Sequence, residues 1–191
     1  MVRKNFYTNK IISILCTTVL ILLISTFSKV SYACDDVSGT TTISSDCSSA
    51  FSITGSNANI TLSATVSSAN MSLTNSGTNS SLTITSSGSL ISTNGGIVIA
   101  NTVAGKSFDL ISNAGTISGT YFTIRNQKTI TTLTNTGTIT ATEGNAAVLN
   151  QSSATITTFT NSGTISAPSG SGINNTATIT TLTNTGTITS S

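Results

Sequence analysis

The chain has no histidine, no tryptophan and a single proline, and charged side chains make up only 6% of its 191 residues. Each shortage removes a class of protein. Without histidine there is no Ser-His or Cys-His apparatus, and no Gly-x-Ser-x-Gly elbow presents a nucleophile. Carbohydrate cleavage on an extended β scaffold needs clustered carboxylates with a basic partner. Here Asp109, Arg125, Lys128 and Glu143 are isolated charges spread through the repeats. The Gly-x-Asp nonapeptides that bind calcium are missing as well. The expectation is a chain that is not an enzyme and that carries no catalytic residue, cofactor or metal site.

Positive charge is scarcest where it would matter for nucleic acid. Arg3, Lys4, Lys10 and Lys29 hold four of the seven cations, all within the first 33 residues. Residues 34–191 keep Lys106, Arg125 and Lys128 against Asp35, Asp36, Asp46, Asp109 and Glu143, which leaves −2. A nucleic-acid surface displaces counterions with a basic stripe, and none exists here.

Hydrophobic runs are short too. The longest, residues 11–24, follows Arg3, Lys4 and Lys10 and precedes Ser31-Tyr32-Ala33. A basic start, an apolar middle of about 14 residues and a small-x-small exit describe a secretory signal peptide over residues 1–33. A spanning helix needs roughly 20 apolar residues, so a membrane anchor fits less well. Cys16 leaves with the signal. Cys34 and Cys47 remain, an even pair in an exported chain, and they are expected to form a disulfide.

What the chain does have is serine and threonine, 73 residues together, arranged in a repeat. TITTLTNTGTIT at 129–140 returns unchanged at 178–189, with TITTFTNSGTIS at 155–166 between them. Asn113, Asn135, Asn161 and Asn184 head N-x-G-T-I phrases spaced 22, 26 and 23 apart. An aliphatic-x-Asn marker runs in step at Asn101, Asn126, Asn150 and Asn175. Two markers holding one period of about 24 residues identify a structural repeat rather than plain low complexity.

Thr, Ile and Val favour extended backbone, while Ser, Asn and Gly favour turns. At roughly 3.3 Å per residue, such a unit is one turn around a narrow core, with turns stacking at about 4.8 Å. The predicted fold is all-β, a parallel β-helix (β-solenoid) of about six coils with an N-terminal cap. Residues 34–95 read as that cap with irregular early coils, and 96–191 as regular repeats. Phe108, Ile130, Ile156 and Ile179 should stack in one inward column. Ile111, Leu133, Phe159 and Leu182 form a second, and Ile117, Ile139, Ile165 and Ile188 a third. Ile130 and Leu133 are three apart, so a corner is expected near Thr131-Thr132. The eight asparagines become two ladders of structural amides, each bonding its neighbours above and below. Ser191 follows directly on a repeat, so an open strand edge is expected there, with end-to-end self-association or a covering segment.

With the signal peptide, the composition and the repeated TLTNTGTI and TFTNSGTI phrases in place, the chain resembles the passenger region of bacterial autotransporters, pertactin-like β-helices of the cell surface. The resemblance covers 96–191 well and 34–95 loosely. It implies secretion to the outer surface of a Gram-negative cell, a role as adhesin or stalk contacting a host or cell-surface component, and continuation into a C-terminal outer-membrane barrel not present in this chain. An alternative is ice binding through the Thr-x-Thr pairs 129/131, 155/157 and 178/180. A mucin-type stalk fits poorly with a lone Pro168 and regular apolar columns.

Overall fold

Through the repeats β-branched residues alternate inward and outward, and small polar residues interrupt them every four to seven positions. The result, in a computed structural model that describes residues 33–151 and 153–190, is a parallel β-solenoid with three faces. The expected signal peptide, apart from Ala33, and Cys16 within it lie outside the described residues.

Strands are numbered along the chain. The first sheet stacks β1 (Thr40–Ile43), β3 (Asn59–Leu62), β6 (Ser80–Ile84), β9 (Ser107–Asn113), β12 (Thr129–Asn135), β15 (Thr155–Asn161) and β18 (Thr178–Asn184). The second stacks β4 (Thr65–Ser68), β7 (Ser89–Ser92), β10 (Thr116–Gly119), β13 (Thr138–Ala141), β16 (Thr164–Ala167) and β19 (Thr187–Ser190). The third stacks β2 (Ser52–Ile53), β5 (Leu73–Asn75), β8 (Ile97–Asn101), β11 (Phe122–Asn126), β14 (Ala146–Asn150) and β17 (Ser171–Asn175). The chain visits first, second and third sheet in turn, about six times. At about 4.8 Å per coil the stack is roughly 30 Å tall. Residues 40–92 enter the same three sheets as the later repeats, with a register shift between Ser80 and Ser81 where β6 meets β9.

The three apolar columns form as expected. Phe108, Ile130, Ile156 and Ile179 are in register, as are Ile111, Leu133, Phe159 and Leu182. Ile117, Ile139, Ile165 and Ile188 pair along the second sheet. Within them Phe108, Ile130, Leu133, Ile139, Ile156, Phe159 and Ile165 are completely buried. Each such side chain contributes about 1.5–3 kcal/mol. The break in parity lies at Thr131 and Thr132, both turned outward between buried Ile130 and Leu133. It is a bend within continuous strands, repeated at the same level in β9, β15 and β18.

Coil length varies only at certain corners. The first-to-second corner after each N-x-G asparagine is always two residues: 114–115, 136–137, 162–163 and 185–186. The coil from Asn135 to Asn161 exceeds the one from Asn113 to Asn135 because its two other corners, 142–145 and 151–154, are each two residues longer than 120–121 and 127–128. The constant corner is the clamped one. Gly137 passes so close to the coil below that a Cβ would stand 2.2 Å from the Gly115 carbonyl oxygen, and Gly163 repeats the contact on Gly137 at 2.1 Å. That close approach explains the glycine of the phrase.

Candidate functional site

The asparagine ladders are built from the corners outward. Asn113 Nδ2 donates to Asn135 Oδ1 at 2.8 Å, Asn135 to Asn161 at 2.8 Å, and Asn161 to Asn184 at 2.7 Å. The same Asn135 nitrogen lies 3.2 Å from the carbonyls of both Gly137 in its own corner and Thr164 in the next coil. One amide therefore fastens its own turn and the coil above. The second ladder repeats the device. Asn101 donates to Asn126 at 2.7 Å, Asn126 to Asn150 at 2.8 Å, and Asn150 to Asn175 at 2.8 Å. Asn101, Asn113, Asn126, Asn135, Asn150 and Asn161 are wholly buried, so every Nδ2 needs its acceptor inside the protein.

Both ladders have a foot. The Oδ1 atoms of Asn101 and Asn113 are buried with no hydrogen-bond donor. Below Asn113 the position is taken by Ile84, which cannot donate. Below Asn101 lies Asn75, a buried rung that the sequence markers missed. Its Nδ2 donates instead to Ser107 O at 2.9 Å, as Asn101 does to Thr129 O at 3.0 Å. The phrase LTNSGT held the signal, since Asn75 stands two residues before Gly77 and accepts its N–H at 3.0 Å. Thr123 was also missed; it is buried, and its hydroxyl donates to Thr140 O at 2.7 Å, tying the third sheet to the second.

Cys34 and Cys47 are joined as a disulfide with Cα atoms 5.5 Å apart. Two aspartates reinforce that first coil: Asp36 accepts the Ser52 N–H at 2.7 Å and Asp46 the Thr65 N–H at 2.9 Å. At the opposite end Leu182 is 49% exposed, whereas Phe159 directly below it is fully buried. The upper edges of β17, β18 and β19 bear no further strand among the described residues.

Asp109, Glu143 and Arg125 occupy separate places. Asp109 is exposed at the bend of β9, Glu143 is exposed in the second-to-third corner, and Arg125 faces outward on the third sheet. Among the described residues no three His, Cys, Asp or Glu side chains gather as a metal site would require. No described helix is long and apolar enough to cross a membrane, which says nothing of a β-barrel.

The outer faces are hydroxyl-rich. On the first sheet Thr129, Thr155 and Thr178 stack, and Thr132, Thr158 and Thr181 stack beside them. Below β12 the first column continues as Ser107, and the second is interrupted by Leu110. A longer hydroxyl column, which the sequence reading did not single out, lies on the second sheet. Thr65, Ser89, Thr116, Thr138, Thr164 and Thr187 follow one another over all six strands. No family model matches the sequence, and neither a curated protein nor a solved structure matches it.

Proposed function

We propose that this chain is an exported β-solenoid that serves at the surface of a Gram-negative cell as an adhesin or structural stalk, in the manner of an autotransporter passenger. The observation that carries the reading is the disulfide-closed parallel solenoid with hydroxyl-rich, sparsely charged faces. A disulfide accords with an oxidising compartment, and a rod of stacked coils presents long lateral surfaces suited to contact. The residues that would give catalysis are scattered, so the role is one of display and binding, without enzymatic activity. The open edges of β17, β18 and β19 are where such a passenger would continue toward a membrane barrel, or meet a second copy end to end. The test is expression of the whole chain in a Gram-negative host, followed by fractionation and protease shaving of intact cells. Protein beginning at Cys34, with Cys34 and Cys47 protected from alkylation until reduced, supports the proposal. Full-length protein retained in the cytoplasm with free thiols overturns it.

A second reading is favoured by the six-rung hydroxyl column of the second sheet. Parallel strands about 4.8 Å apart hold those hydroxyls in one evenly spaced row, as ice binding would need. Thermal hysteresis abolished by Thr138→Asp would establish that reading, and freezing at the ordinary colligative point would dismiss it.

A further inference from the structure

Residues 34–191 contain three cations, and two of them stand on adjacent rungs. The register pairs Ser107 with Thr129, so Lys106 lies directly beneath Lys128 in the third-to-first corner, one coil apart. Like charges facing each other across neighbouring strands destabilise a sheet. Both lysines are half-buried, as long side chains that lay their stems along the surface are, and both line one notch.

That place is concave. Lys106, Ser107, Gln127, Lys128 and Ser153 line a notch of about 380 Å³. Its floor is organised: the Asn79 N–H donates to Ser107 Oγ at 2.9 Å, and that hydroxyl donates to Asn79 Oδ1 at 3.2 Å. Its upper wall is set by Asn126, whose Oδ1 accepts the Lys128 N–H at 3.2 Å. Asp109, exposed two residues beyond Ser107, is the carboxylate nearest in sequence. It forms no ion pair with either lysine among the described residues.

We propose that this notch is an oxyanion site, in which Lys106 and Lys128 jointly hold one carboxylate or sulfate group of an acidic polysaccharide. An anion between the two ammonium groups converts a repulsion into two attractions, with each lysine acting as a point charge on a shared oxygen. Two cations recognise one such group and fall far short of the stripe that a nucleic acid needs. The oxyanion site follows from the notch itself; its assignment to a polysaccharide rests on the proposed surface location.

Amide chemical shifts of the isotopically labelled whole chain decide the matter, titrated with sodium sulfate at constant ionic strength and separately with a sulfated oligosaccharide. The expected result is saturable movement of the Gln127, Lys128 and Lys106 amides, with the oligosaccharide at least tenfold tighter than free sulfate. Lys106→Gln and Lys128→Gln should each abolish saturation, while Arg125→Gln should retain it. Each lysine variant should also melt higher than the parent in chloride, because it relieves the repulsion. Unsaturable shifts, or saturation unchanged in both lysine variants, would overturn the site. Saturation by sulfate with no gain from the oligosaccharide would overturn the polysaccharide assignment.

Discussion

Replacing Asn135 with alanine removes a middle rung of the ladder, and its cost can be assembled from the contacts. Asn113 loses its acceptor at 2.8 Å but keeps Thr138 O at 3.1 Å. Asn161 Oδ1 loses its donor and is left buried and unpaired. Two net hydrogen bonds are worth about 1 kcal/mol each, and an orphaned buried acceptor costs about 1–3 kcal/mol more. The expected loss is therefore about 3–5 kcal/mol. Asn184→Ala, on an exposed rung, removes one bond whose partner Asn161 retains Gly163 O at 3.3 Å, and should cost about 1 kcal/mol. Asn135→Asp keeps the shape but offers no donor to Asn161, so it should be at least as damaging as alanine. Urea unfolding followed by far-UV circular dichroism measures all three. Equal losses at 135 and 184, or a harmless Asn135→Asp, would refute the ladder as the source of stability.

Other perturbations separate the remaining contributions. Ile139→Asp puts a carboxylate into a fully buried apolar column and should prevent stable folding, whereas Thr138→Asp on the outer face should cost under about 1 kcal/mol in the same urea assay. Gly137→Ala meets backbone at 2.2 Å and should destabilise by about 1–3 kcal/mol. Gly105→Ala, with φ +71° and open space around it, should cost only about 1 kcal/mol by calorimetry. Cys47→Ser opens the loop closed by Cys34 and should lower stability by roughly 3 kcal/mol, matched by reductant acting on the parent protein.

The later repeats were legible because two markers with different local sequences kept one period, which fixes both coil length and register. Inward parity followed from the strand period alone, and the bend at Thr131 and Thr132 from the three-residue gap between Ile130 and Leu133. The early coils resisted for a definite reason. Asn75-Ser76-Gly77 reads like the N-x-G of the first-to-second corner, but Asn75 belongs to the third sheet, in line with Asn101. Gly77 and Gly88 are 11 residues apart because they sit at different corners: a Cβ on the first would meet Gly55 O, and on the second Leu62 O. Asn75 and Asn126 of the third sheet accept the N–H two residues on, whereas Asn113, Asn135 and Asn161 of the first sheet donate to the carbonyl two residues on, so a short Asn-x-x phrase does not reveal its corner. The lysine notch was hidden more deeply. Lys106 and Lys128 become neighbours only when the five-residue loop before β9 and the two-residue loop before β12 are both known.

The solenoid requires coils stacked in one register, and a cysteine pair tests that most directly. Thr134 and Thr160 are outward-facing partners on adjacent strands of the first sheet, at a separation of about 5 Å that a disulfide can bridge. In the variant carrying Thr134→Cys and Thr160→Cys, mild oxidation should yield the 134–160 cross-link in peptide mass spectra, with stability unchanged or raised. The companion carrying Thr134→Cys and Thr158→Cys offsets the pair by two residues, beyond the roughly 7 Å limit between Cα atoms, and should stay reduced. Cross-linking of both variants at equal rates, or of the offset pair alone, would contradict the solenoid described here.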